Sequence, residues 1–351
     1  MSGASTPASG KGIRSRPSRR WSLLIIGALA LLVIVALSSW RLAGRGAVDS
    51  GPPTLIVGDQ RGGVQALLTA AGELDDVPYR IKWALFPAAS PLLEALDAGA
   101  LDIGGIGAAP FAFAYASGAK IRAVTAYRPT GERAGKASAI VVRKGSPIRT
   151  LADLKGKRVA TIRGSAGQDL VLRLLERAKI DPKTISWTYL SNGEAKAALA
   201  TGSIDAWSTW GSYVGIAVLE DGDRVLADGS ALPTGVGFYA ANEGTITRKR
   251  AILEDYIARV ARARAWGLRH PDAYAQVLAK ETGIPVPVAR FSIDASLGNA
   301  VPIDAALIRE QGRIFERYHA AGIIPDTPKA DRGYDGSFNE AIRQVAQGRS
   351  G

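Results

Sequence analysis

From residue 54 to about residue 241 the chain repeats one unit: a short apolar run, a turn marked by glycine or proline, and a stretch with helical spacing. Residues 55–58, 80–85, 102–107, 122–127 and 139–143 read as strands. Residues 64–74 and 91–99 have helical spacing, and Pro110 opens a third helix. A second series starts near residue 150, with strands at 158–162, 187–190, 204–210 and 224–228 and helices at 167–179 and 193–202. Strand–helix alternation of this kind builds a largely parallel α/β sheet with helices on its faces. After a strand at 237–241 the chain reads as mostly helix. A helix-rich third with no sheet of its own has to pack on a lobe already built. The chain is therefore expected to pass between two lobes twice, near 144–149 and near 230–236. That divides it into a basic segment with a signal peptide or anchor (1–40), a linker (41–53), lobe I (54–145 and 235–351) and lobe II (146–234), with a cleft between the lobes.

The first forty residues read as an address. Residues 11–20 (KGIRSRPSRR) are basic and residues 22–38 (SLLIIGALALLVIVALS) are almost wholly apolar, with Ala36 and Ser38 as small residues before a possible cleavage point. This is the layout of a secretory signal. The alternative is a retained anchor, because about 17 helical residues span about 25 Å, just short of a hydrocarbon core. Either way the positive flank keeps the N-terminus cytoplasmic and puts the body outside the inner membrane. The formal net charge is +12, and the seven Lys and Arg residues before Asp49 leave +5 for the body. No basic face with interleaved aromatics follows, so no nucleic-acid partner is expected. Cysteine is absent and only two histidines occur. Thiol catalysis, Cys–zinc sites and disulfides are therefore excluded. No catalytic residue, metal or cofactor is expected; the chain reads as a monomer that binds rather than transforms.

Ligands of open α/β sheets sit beyond the carboxyl ends of the strands, against helix N-termini whose N–H groups favour anions. Three junctions suit this. They are the run Gly58 to Gly63 with Gln60 and Arg61, the run Gly107-Ala108-Ala109-Pro110, and the run Arg163 to Gln168 with Ser165 and Ala166. None has the spacing of a phosphate loop or a dinucleotide fingerprint. Trp207, Trp210 and Tyr213 form an aromatic group whose two indole N–H groups could donate to anion oxygens while the rings pack an alkyl chain, with core packing as the competing reading. Phe238 and Tyr239, at the return crossing, could close the cleft.

These stretches resemble the aliphatic-sulfonate, taurine and nitrate-type periplasmic binding proteins of ABC importers. The likeness spans about residues 54–320 and is carried by GDQRGG (58–63), FPAASPLLEALDAGALDIGGIGAAP (86–110), SPIRTLADLKGKRVATIRGSAGQ (146–168) and GEAKAALATGSIDAWSTWGSY (193–213). It implies a two-lobed type II periplasmic-binding-protein fold and a periplasmic, non-enzymatic role: capture of a small anionic ligand, foremost an aliphatic sulfonate, for an ABC permease. It implies ligand contacts at Gln60, Ala109, Ser165, Ala166, Gln168, Trp207, Trp210 and Tyr239, to which the junction reading adds Arg61, Gly107 and Ala108. The chain departs from the family where G-D-A-P and W-D-P-Y are common, having Ala108 and Gly211 in place of the two carboxylates. An acid there would suit a ligand amine, so the departure disfavours taurine. Nitrate or bicarbonate, aromatic sulfonates or carboxylates, thiamine-precursor-like ligands and an anchored ligand sensor are the competing readings. Enzymes on related folds, a desulfinase among them, use a cysteine that this chain lacks.

Overall fold

The computed structural model describes residues 51–131 and 133–348. The expected signal or anchor segment, and nearly all of the linker, lie outside the described residues. Among the described residues no helix is long and apolar enough to cross a membrane.

In chain order the first series is β1 (Thr54–Gln60), α1 (Gly63–Ala70), β2 (Arg80–Phe86), α2 (Ala89–Asp97), β3 (Ile103–Gly107), α3 (Ala108–Ala116), β4 (Ile121–Pro129) and β5 (Ser138–Val142). Then come β6 (Arg158–Thr161), α4 (Ala166–Arg177), β7 (Ser186–Tyr189), α5 (Asn192–Thr201), β8 (Ala206–Trp210), α6 (Ser212–Gly215) and β9 (Arg224–Asp228). The C-terminal part holds β10 (Gly237–Asn242), α7 (Glu243–Arg248), α8 (Arg250–Arg269), α9 (Pro271–Thr282), α10 (Val286–Ser296), β11 (Gly298–Val301), α11 (Ala305–Ala320) and α12 (Asn339–Ala346).

The strands form two sheets, ordered β11-β4-β10-β3-β1-β2 and β7-β6-β8-β5-β9. In the first, β1 runs parallel to β2 and β3, and β10 lies antiparallel between β3 and β4. In the second, β6 runs parallel to β7 and β8, while β5 is antiparallel to β8 and β9. Each sheet is covered on both faces, and the period-2 alternation of the strands assigns the side chains. In β10, Tyr239 and Ala241 join Leu55, Val57 and Leu67 on one face, while Phe238 and Ala240 join Leu92 and Phe111 on the other. In the second sheet, Ile140 and Val142 pack with Leu170 and Leu174 of α4, whereas Val141 and Trp207 pack with Leu199 of α5. This is a two-lobed α/β architecture with one mixed sheet in each lobe.

Two expectations need correction. β5 pairs with β8 and β9, so the chain leaves the first sheet after Pro129 and not near 144–149. An apolar run such as AIVV is competent on both faces and carries no record of which sheet it joins. The C-terminal third also contains a strand. β11 adds to the open edge of β4, where four residues with only two apolar side chains suffice because β4 supplies the ladder.

Helix starts follow local chemistry. The Ser165 hydroxyl accepts from the Gln168 N–H to begin α4, and Ser191 with Glu194 forms a reciprocal capping box at α5. Pro110 lies in the first turn of α3, where a missing N–H is harmless. Gly167 lets α4 press on β8: a Cβ there would sit 2.5 Å from the Ser208 carbonyl and 2.6 Å from Thr161 Oγ1. The two connections between sheets, 130–137 and 229–236, touch through backbone. A Cβ on Gly229 would lie 2.5 Å from the Gly135 carbonyl.

Candidate functional site

A cavity of about 740 Å³ opens between the lobes at the carboxyl ends of β1, β3 and β8. It lies within the size range of small-molecule sites. Gln60, Arg61, Gly107, Ala108, Ala109, Ser165, Ala166, Trp210 and Tyr239 all line it. The N-termini of α3, from the first lobe, and of α4, from the second, both reach it. First-turn N–H groups have no partner within their own helix, and the helix dipole favours negative charge there. Ala109 and Ala112 of α3 pack with Leu172 of α4 and with Phe315 and Tyr318 of α11 behind these termini.

Gln168 and Trp207 do not line the cavity. Gln168 is 1 % exposed, and its amide is committed to holding the preceding loop. It accepts from the Gly164 N–H at 2.7 Å and donates to the Tyr189 hydroxyl at 3.0 Å. Trp207 is fully buried, and its ring meets Tyr213 edge-on at 6.1 Å. Trp207 and Trp210 are three residues apart on one strand and so face opposite sides of it. Only Trp210, the last residue of β8, reaches the cavity.

Side chains from both lobes meet across the opening. Arg61 has a left-handed backbone (φ 57) and sets its guanidinium 4.5 Å from the centroid of the Tyr213 ring. Gln60 donates to the Gly105 carbonyl at 2.8 Å, which holds its amide over β3. Toward the rear, Arg317 of α11 donates to Asp169 at 2.9 Å and to Glu176 at 3.1 Å, both on α4. The Tyr318 hydroxyl donates to the Ser165 carbonyl at 3.2 Å. Burial pushes the Asp169 carboxyl above its ordinary range, with Arg317 and Arg173 opposing the shift.

Among the lining residues not singled out as ligand contacts from the sequence are Asp59, Arg264 and Tyr274. The Asp59 carboxylate is 1 % exposed and accepts from the Gln65 N–H at 2.8 Å and the Val64 N–H at 3.0 Å. Burial pushes its pKa up to about 6, and those backbone bonds hold it from rising further. Tyr274 donates its hydroxyl to the Gly63 carbonyl at 2.9 Å. Arg264 is 7 % exposed and lies 3.7 Å from the centroid of the Tyr127 ring, with its Nε donating to the Gly298 carbonyl at 2.7 Å. Burial raises the Tyr239 hydroxyl well above its usual range, partly offset by the Arg264 charge. Asp59 is in the GDQRGG stretch itself. Arg264 belongs to a run with Arg259 and Arg262, which looks like a solvated helix face. Among the described residues no group of three or more His, Asp or Glu side chains could hold a metal ion.

The family model described as NMT1/THI5 like matches residues 86–274. A protein of Escherichia coli (strain K12), named as an aliphatic sulfonates-binding protein, is 33 % identical over 301 residues, covering 85 % of this chain and 92 % of its own. The alkanesulfonate-binding protein SsuA from Xanthomonas axonopodis pv. citri, solved bound to MOPS, superposes with a TM-score of 0.74 at 30 % identity, covering 82 % of this chain and 99 % of its own. The crystal structure of the periplasmic aliphatic sulphonate binding protein SsuA from Escherichia coli gives a TM-score of 0.70 at 32 % identity, covering 81 % and 97 %. This chain therefore belongs to the NMT1/THI5-like family, whose model matches it over residues 86–274, and to the aliphatic-sulfonate-binding, non-enzymatic solute-binding proteins.

Proposed function

We propose that the protein is the periplasmic substrate-binding component of an ABC importer, acts as a monomer, and captures a sulfonate in the interlobe cavity. The observation that carries this reading is the meeting of two helix N-termini, one from each lobe, at a single cavity that also holds the Ser165 hydroxyl. A sulfonate stays ionised at physiological pH and offers only acceptor oxygens. Backbone N–H groups near Ala109 and Ala166, the Ser165 hydroxyl, the second amide N–H of Gln60 and the Trp210 indole N–H form a matching set of donors. Such charge-assisted bonds contribute about 1.5–3 kcal/mol each, so a few of them with apolar packing reach micromolar affinity. Gly107 lets the chain approach closely, and Tyr239 and Tyr213 pack the organic part. The related protein bound to MOPS supports room for a bulky organic group beside the sulfonate. Arg61 adds charge and joins the lobes when they close on the ligand. Closure is driven only by the difference in ligand affinity between the open and closed forms.

The test is a thermal-shift and calorimetric screen of the protein against alkanesulfonates, taurine, nitrate, bicarbonate and aromatic carboxylates. Alkanesulfonates are expected to raise the melting temperature and taurine to bind more weakly, because Ala108 and Gly211 leave no acid for its amine. Stabilisation by another class and by no sulfonate would overturn the reading. Sequencing the N-terminus of the protein recovered from the periplasm decides between a cleaved signal and an anchored form.

A further inference from the structure

Arg264 carries a buried positive charge for which the fold supplies no counterion among the described residues. Its neighbours on α8 behave otherwise: Arg259 pairs with Asp255 at 2.8 Å and Arg262 with Glu73 at 2.7 Å. Arg264 turns inward and donates from Nε to a carbonyl, while its buried Nη2 reaches no acceptor. The carboxylates that line the cavity are engaged elsewhere. Asp59 is held by the α1 backbone, Asp169 and Glu176 by Arg317, and Glu310 by Arg128. A void of about 10 Å³ beside Arg264 and Thr125 has room for about one water, and that water would give partners to Nη2 and to the unpaired Thr125 hydroxyl. A water supplies no negative charge, however. A buried cation without a counterion is among the most unfavourable arrangements a fold can keep, and a neutral side chain would remove the penalty.

The guanidinium is also held ready. The Nε bond and the stacking on Tyr127 hold its plane, and the residue lines the main cavity beside Tyr127, Tyr239 and Tyr274. With Nε on the Gly298 carbonyl and Nη2 buried, Nη1 is the nitrogen left to meet a carboxylate or a second sulfonate, through one charge-assisted bond. It belongs to the first lobe, whereas Ser165 and Ala166 belong to the second.

We propose that Arg264 receives a second anionic group of the ligand, so that the protein selects sulfonates bearing a distal carboxylate or sulfonate over simple alkanesulfonates. This rests on the reading of the cavity as a sulfonate site. The two-headed ligand engages the helix N-termini with one group and Arg264 with the other, and ties the lobes together.

The test is titration calorimetry of the purified protein with two matched series. These are α,ω-sulfocarboxylates from sulfoacetate to 6-sulfohexanoate, and the alkanesulfonates of equal chain length. At least one sulfocarboxylate is expected to bind tenfold or more tightly than its partner, as one charge-assisted contact implies. In Arg264→Gln that advantage is expected to disappear, while alkanesulfonate affinity stays within about threefold. If no spacer length gives an advantage in the unmodified protein, the proposal is wrong, whether or not the variant folds. If Arg264→Gln weakens both series equally, Arg264 holds the sulfonate itself or only the fold, and the proposal is again overturned. If neither series binds, the sulfonate reading fails, and this proposal with it.

Discussion

Asp59 shows how a single carboxylate can couple the site to pH. Its pKa is raised from 3.8 to about 6, so the folded protein favours the protonated form more than the unfolded chain does. The stability Asp59 contributes is therefore fully present below about pH 4 and is lost as the pH rises through about 6. The same proton removes a negative charge from an anion-binding cavity. Affinity for a sulfonate is expected to rise as the pH falls from 7 to 5, and Asp59→Asn should flatten that profile; calorimetry at the two pH values checks both. A steric prediction belongs to Gly167. Alanine there meets the Ser208 backbone and should cost about 1–3 kcal/mol, read as a lower melting temperature. An unchanged melt would mean that α4 can lift off β8 freely. At this scale the sequence was informative where backbone makes the site and less so where side-chain direction decides. Ala109, Ser165 and Ala166 could be found because helix starts are written locally, in Pro110 and in the Ser165 cap. Gln168 follows Ser165 by one turn and looks equally available, but its amide is used up by Gly164 and Tyr189. Arg264 stayed hidden because only the packing of α8 separates it from Arg259 and Arg262.

Among elements, the contacts between lobes include a clasp at the front and a brace at the rear, besides the packing of α10 on α6. The clasp is Arg61 against Tyr213. A cation–π contact is worth about 0.5–2 kcal/mol, so Tyr213→Leu should speed ligand release by a few-fold up to about thirtyfold in stopped-flow measurements. The brace is Arg317 between Asp169 and Glu176. Arg317→Met leaves Asp169 buried with only the more distant Arg173, 3.9 Å away, as counter-charge, and should destabilise the protein in denaturant titrations by less than the about 3–5 kcal/mol of a wholly unpaired buried charge. Most strands and helices of both series were readable, because each is an apolar run bounded by glycine, proline or a cap. Sheet membership was not. β5 and β11 are placed by non-local pairing, and nothing within 138–142 or 298–301 says which neighbour they take.

For the molecule as a whole, the connections at 130–137 and 229–236 meet at Gly135 and Gly229, and any relative rotation of the lobes passes through that contact. Gly229→Ala wedges the two segments apart. It is expected to weaken ligand binding with little change at the donors lining the cavity. X-ray scattering, with and without an alkanesulfonate, would show a reduced ligand-induced contraction in the variant.

The place of β10 has a further consequence for biogenesis. This strand fills the centre of the first sheet between β3 and β4, yet it is made more than a hundred residues after either of them. Until residue 242 emerges, that sheet has a gap in its middle, whereas every strand of the second sheet is already available. The nascent chain therefore cannot complete its larger lobe early, and a translocase that requires unfolded substrates would meet a polypeptide whose own topology postpones its folding.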